Sequence, residues 1–376
     1  MMVDIPFCRP SITTAELTAV KECVANGWLT MGNEVAKLEQ EFAEFCEADR
    51  PGIATDSCTS ALFLAMKAMN IGPDNVVAVP ALTFAATANM VEALGAKVKF
   101  VDVGIDGCID TNNNELFDVD LILAVDYAGN AVDIEGLRKF NKPIVIDSAE
   151  SHGAIYNIGN KSGKTGLIHC YSFYPTKILA GAEGGMIIGA TDEQAEKIKR
   201  WRLHGLSSGA ENRYTDRSSS SFPVVEDIGW KHNLSDVSAA IIRQQLKRYE
   251  EIYNLRRSVW IGYYFMTVEL QTLGYNVGCI REGPNSKSAP YLFVFLVEHR
   301  DNFMKYMLNN GIKCGVHFVP LHLHPYYVNK YGKLFLPLAE HIGETCVSLP
   351  LYPDLSTIQF DYIVDKIRTY FMNRSN

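Results

Sequence analysis

Apolar residues fall in short β-branched blocks through the first half of the chain, separated by stretches whose apolar positions recur every three or four residues. The blocks VVAV (76–79), KVKFV (97–101), LILAVDY (121–127), PIVIDS (143–148), IHCYSF (168–173) and GMIIG (185–189) predict buried strands. The intervening segments SALFLAMKAMN (60–70), AATANMVEALG (85–95) and DEQAEKIKRWRLHG (192–205) predict helices. Such alternation predicts an α/β layer built on a largely parallel sheet.

The pattern changes near Leu234. Helical spacing then persists through LSDVSAAIIRQQLKRYEEIYNLRRSVWIGYYFMTVEL and predicts one long helix. A Gly-, Pro-, Asn- and Ser-rich loop (277–289), the strand YLFVFLV, a helix at 300–310, a strand near 312–319 and a last helix at 358–372 follow. This predicts two domains, a large α/β domain over 1–250 and a smaller α+β domain over 251–376. There are no internal repeats or low-complexity tracts. The longest apolar stretch, Val76 to Val91, is broken by polar residues and too short to span a bilayer.

Charge narrows the choice of partners. A formal net charge of -8 argues against nucleic acid or an anionic membrane as the main partner. Nine scattered cysteines without a CxxC pair read as reduced thiols of a cytoplasmic protein, and the N-terminus shows no signal-peptide pattern.

Two lysines flank the fifth predicted strand, IHCYSF. Lys164 lies in GKT, which resembles the end of a phosphate-binding P-loop, but the glycine such a loop needs five residues before Gly163 is Ile158. A β-branched residue cannot make that turn, so Lys164 reads as a solvated charge. Lys177 follows the strand end CYSF and precedes the flexible AGAEGG. A lysine partly desolvated at a strand end can act as an amine nucleophile. If it binds pyridoxal phosphate, the chain must supply a carboxylate for the ring nitrogen, an anion cradle and an aromatic face. Asp147 ends the strand PIVID; Ser57, Cys58 and Thr59 precede a helix whose N-terminus favours an anion; Ser172 lies on the lysine's strand; and Phe84 is a nearby aromatic. A metal site of Cys314, His317, His322 and His324 fits no common zinc spacing.

In this order the residues resemble the pyridoxal-phosphate-dependent sugar aminotransferases of the DegT/DnrJ/EryC1/StrS type. NGWLTMGNEVAKLEQEF, SCTSALFLAM, VPALTFAATANMVEALGAKVKFVDV, IDSAESHGA, YSFYPTKILAGAEGGMI, IGWKHNLSDVSAAI and the pair HFVPLHLHPYY and SLPLYPDLS are similar to seven family blocks. The resemblance implies an aminotransferase of fold type I, its large domain carrying a mixed, mostly parallel seven-stranded sheet. It implies that Lys177 is the cofactor-linking lysine and proton carrier, Asp147 the partner of the ring nitrogen and Phe84 the stacking residue. Ser57, Cys58, Thr59 and Ser172 become phosphate ligands, with Glu150 facing cofactor and substrate. The family's phosphate-binding asparagine and its arginine fall at Lys231 and Asn233, two departures from the pattern. Trp28 and Thr30 are expected to complete the site across a homodimer interface, and Arg9, Lys231, His317 and His322 to meet the nucleotide of the substrate. The implied reaction uses L-glutamate as amino donor and a nucleotide-linked keto sugar as acceptor. Glutamate at position 150 points to a 4-keto-6-deoxyhexose, with a 3-keto sugar or a non-catalytic relative as alternatives.

Overall fold

The computed structural model describes residues 4–207, 224–283 and 286–373. Seven strands form the larger sheet: β1 (Ile53–Thr55), β2 (Val76–Pro80), β3 (Lys97–Val101), β4 (Leu121–Val125), β5 (Ile144–Asp147), β6 (Ile168–Ser172) and β7 (Gly185–Ile188). Their spatial order is β1-β7-β6-β5-β4-β2-β3. Strands β3, β2, β4, β5 and β6 pair in parallel, whereas β7 runs antiparallel to both β6 and β1. The exception has a local cause. Helical crossovers separate the parallel strands, but β6 and β7 are joined by a loop that turns straight back, closed by Phe173 N–H to Gly184 O at 2.9 Å and Gly181 N–H to Phe173 O at 2.7 Å. Lys177 rides on that return.

All six predicted blocks are strands, and β1 is the addition: three fully buried residues are too few to show a period. The α/β class and the seven-stranded mixed sheet are those of fold type I aminotransferases.

The predicted long helix is two. Helices Asp236–Lys247 and Tyr249–Thr272 meet at Arg248, whose backbone (φ -102°, ψ 11°) leaves helical geometry. Its guanidinium donates to Glu16 at 3.0 Å, and the neighbouring Gln245 side chain donates to Glu16 at 2.7 Å and to Ser11 O at 2.8 Å. A carboxylate buried to that degree needs such donors. Apolar spacing continues across the break, so periodicity alone does not reveal it.

A second sheet, β8 (Val277–Cys279), β9 (Phe293–Val297) and β10 (Cys346–Leu349), is antiparallel in the order β10-β9-β8. Strand β8 lies within the stretch read as loop. The strand expected near 312–319 reduces to single bridges, Ile312 with Ile5 and Gly315 with Ser348. The structure contains two apolar clusters. One wraps the large sheet; the other packs Tyr263, Phe293, Phe303 and Phe371 between β8–β10 and helices Tyr249–Thr272, Arg300–Asn309 and Thr357–Met372. Ile5, from the chain start, is buried in the second cluster. No helix among the described residues is long and apolar enough to cross a membrane.

Candidate active site

The carboxyl ends of the parallel strands lie along one edge, where open α/β sheets place reactive groups. Asp147 is the last residue of β5 and Ser172 the last of β6. Asp147 is buried; its Oδ2 accepts from Thr87 Oγ1 at 2.8 Å and its Oδ1 from Ala149 N–H at 3.2 Å, with the Cys58 thiol 3.7 Å away. Burial pushes its carboxyl above the usual range, and the Thr87 and Ala149 donors partly offset this. Among the described residues no cation lies within ion-pair distance of it. A protonated pyridine nitrogen fits that requirement.

Lys177 is tethered by its N–H to Tyr174 O at 2.8 Å. Its Nζ lies 3.3 Å from Glu150 Oε1 and 3.3 Å from Tyr291 Oη, and 4.4 Å from the centre of the Tyr291 ring. Both charged side chains are nearly enclosed, Lys177 at 13% exposure and Glu150 at 7%. Burial alone would strip the proton from Lys177, but Tyr291 and Glu150 reverse the sign and hold the ammonium above its ordinary range. The second Glu150 oxygen accepts from Ala128 N–H at 2.8 Å. The carboxylate is thereby fixed at both ends.

The helix Cys58–Ala68 supplies the anion cradle. Ser57 caps it, its Oγ accepting from Ser60 N–H at 3.2 Å, and the first amides of any α-helix have no partner within it. Gly185 presses against this turn: a Cβ there would lie 2.4 Å from the Ser57 backbone, so β7 approaches the cradle only because residue 185 has no side chain. Cys58 and Ser172 are buried at the same end of the sheet, and the Ser172 hydroxyl accepts from Tyr174 N–H at 3.3 Å. Phe84 precedes the Ala85–Ala93 helix that carries Thr87 and is 62% exposed, with Phe318 at 6.0 Å between ring centres. An aromatic face left open beside a buried carboxylate suits a flat heterocycle.

Other expected residues lie elsewhere. Lys231 is exposed and donates to Asn233, while His232 between them turns inward to Ser60 Oγ at 2.9 Å. Trp28 lines a separate cavity of about 1010 Å³ with Gly32, Asp236 and Arg243, and Thr30 O accepts from Asp236 N–H; neither meets Lys177 within one chain. His322 is buried against Glu340 at 3.0 Å, which corrects its expected position facing substrate. His317 bonds Ser348 at 2.9 Å, and its imidazolium is disfavoured by burial, while His324 meets Val319 O at 3.3 Å. The three histidines thus have different partners. Arg9 is exposed. The contacts missed from sequence are Tyr291, Thr87 and the Ala128 amide. Thr83 and Thr87, one helical turn apart in an apolar segment, were the available signal for the second of these; no local signal marks Tyr291.

A mixed α/β sheet bearing a buried lysine, a strand-end carboxylate without a cation and a capped anion cradle defines a pyridoxal-phosphate enzyme of the fold type I class. Residues 10–368 match the model of the DegT/DnrJ/EryC1/StrS aminotransferase family, and the chain belongs to that family. It is 33% identical to the spore coat polysaccharide biosynthesis protein SpsC of Bacillus subtilis (strain 168) over 97% of this chain and 96% of that one. The aminotransferase from Psychrobacter cryohalolentis superposes with a TM-score of 0.89 at 27% identity, covering 99% of this chain and 100% of that one. The PLP-form of Spr1654 from Streptococcus pneumoniae gives 0.87 at 25% identity, covering 97% and 98%. The protein is a pyridoxal-phosphate-dependent sugar aminotransferase.

Proposed function

We propose that the enzyme transfers the amino group of L-glutamate to a nucleotide-linked keto-deoxy sugar, a 4-keto-6-deoxyhexose, giving an amino sugar for a polysaccharide, other glycan or secondary metabolite. The observation that carries this reading is the nearly enclosed meeting of Lys177 with Glu150, with the buried Asp147 carboxylate near enough to feel the lysine's charge. Pyridoxal phosphate, when bound, supplies an aldehyde for the amine and a ring that accepts the electron pair left as a carbon-bound proton departs. The residues of the chain do the rest. Asp147 keeps the ring nitrogen protonated, the Ser57–Thr59 turn and Ser172 hold the phosphate, and Phe84 covers the ring face. With the cofactor bound, Lys177 Nζ would be the base that carries a proton, with the Glu150 carboxylate 3.3 Å away to pair with its ammonium.

We further assign the working enzyme to the cytoplasm as a homodimer, with Trp28, Thr30, Lys231 and Asn233 serving the neighbouring subunit's pocket. Lys231, exposed, and Asn233, half-buried, support this by their position on either side of His232, which is anchored to the helix that follows Ser57. The large and small domains are divided near residue 250. The name of the Bacillus subtilis relative, a polysaccharide biosynthesis protein, fits the proposed product. The test is incubation of the purified protein with pyridoxal phosphate, L-glutamate and a panel of 3-keto and 4-keto nucleotide sugars. Glutamate should bleach the yellow colour, and a 4-keto-6-deoxy substrate should restore it with release of an amino sugar. Turnover confined to a 3-keto sugar would overturn the assignment of the carbon.

A further inference from the structure

Tyr291 lies outside both strand-end motifs, just before β9, yet its hydroxyl reaches the reactive lysine. It accepts from Lys177 Nζ at 3.3 Å and shares a proton with Thr176 Oγ1 at 3.2 Å, while its ring face lies beneath the ammonium. Its placement is enforced from behind. Arg256, buried and with no carboxylate within ion-pair distance among the described residues, donates to Tyr291 O at 3.2 Å, Leu351 O at 3.1 Å and Thr176 O at 3.4 Å. One guanidinium thus ties the backbone of Tyr291 to the residue immediately before Lys177. A core tyrosine needs one partner for its hydroxyl; this one has two, and both belong to the lysine loop.

We propose that Tyr291 is a further catalytic residue, a hydrogen-bond acceptor that stabilises the Lys177 ammonium and keeps the neutral amine aimed into the pocket after its proton has left for Glu150. In that step an N–H bond of the ammonium breaks and an O–H bond forms on the Glu150 carboxylate, leaving a neutral amine and a neutral acid. Thr176 Oγ1 can accept the Tyr291 hydroxyl proton, which turns a phenolic lone pair toward Nζ. Burial pushes the phenol above its ordinary range, and the Lys177 ammonium beside it works in the opposite sense. The negative groups facing Lys177 are Glu150 and Asp147, and His317, His152 and Cys58 also feel its charge.

This inference rests on the reading of Lys177 as the lysine that carries the cofactor, but its deciding measurement, the labelling midpoint, needs neither sugar nor cofactor. Full-length protein freed of cofactor is labelled with trace acetic anhydride across a pH series, and acetylation of Lys177 is read by mass spectrometry. Tyr291→Phe, which keeps the ring, should lower the labelling midpoint by about one pH unit and slow the glutamate half-reaction about 10-fold. Thr176→Val should lower the midpoint by less, and the double variant should match Tyr291→Phe alone, because the two hydroxyls act in series. An unchanged midpoint in Tyr291→Phe, or in Thr176→Val should the first variant not fold, overturns the proposal, as does an additive double variant. A midpoint that shifts as stated in a protein that aminates no keto sugar would instead count against the substrate reading alone.

Discussion

Lys164 and Lys177 stand at opposite ends of the same strand, and only the surroundings separate them. Before β6, the turn Ser162–Lys164 lies at the surface, and Lys164 pairs with an exposed Asp49. After β6, Lys177 is enclosed with Glu150 and Tyr291. At 4 Å a pair of unit charges interacts by about 1 kcal/mol in bulk water and about 4 kcal/mol at the effective dielectric constant of about 20 found at protein sites. The same ammonium is therefore a solvated ornament at one end and a held reagent at the other. The carboxyl edge of a parallel sheet makes the difference, because neighbouring strands deliver Asp147 and the Glu150 turn to that end and nothing comparable to the other.

The largest effect expected on this contrast comes from Lys177→Ala. Loss of both nucleophile and proton carrier should cost about 10³-fold or more in amino transfer, and the protein mixed with pyridoxal phosphate should lack the yellow band that glutamate shifts. Retained activity would break the comparison. Asp147→Asn keeps a group that can accept from Thr87 but removes the charge under the ring nitrogen; removing one preorganised charge should cost about 10²-fold in turnover, measured in the glutamate half-reaction, while thermal stability is retained. An effect confined to KM would show that the carboxylate only binds.

The strand between the lysines makes a smaller, pH-dependent claim. His169 lies on β6 and His152 packs on Tyr171 and Phe173; burial lowers both to about 3. A base depressed by folding adds stability above its unfolded value of about 6.5, and this is lost as pH falls toward 3. Asp126, raised to about 6 by burial, works the other way, gaining stability as pH falls through about 6. The two histidines should therefore lower the melting temperature on acidification below about pH 6.5, against the gain from buried carboxyls such as Asp126 and Asp147. His152→Phe, which keeps a flat ring against Tyr171 and Phe173, should flatten that fall. The smallest effect belongs to Lys164→Ala, for which an exposed ion pair predicts unchanged turnover and an unchanged cofactor spectrum.

Asp147 and Ser172 stand out in the sequence because they end strands whose apolar pattern is unambiguous, and Lys177 because it follows one of those ends. Tyr291 does not. Its partner is 114 residues away and its own segment, APYLFVFLV, looks like ordinary strand core. The helix break at Arg248 was hidden for a related reason: the cause is a carboxylate at Glu16, more than two hundred residues earlier in the chain. His322 misled in the opposite direction. It is expected to meet the substrate nucleotide, whereas in the structure it is buried against Glu340. Local pattern reports which face a residue turns to, not which distant segment meets it there.

Ile5 gives the fold an order of assembly. It pairs with Ile312 and lies in a core whose other members come from residues 263–371. During synthesis the whole α/β layer emerges and can condense before the partners of the first segment exist. The opening residues must then wait, unpaired, for the end of the chain, and closing so long a loop places the small core late in folding. A deletion of the first few residues would therefore leave the large sheet able to form and strike the C-terminal core, the part of the molecule most distant from them in the order of the chain.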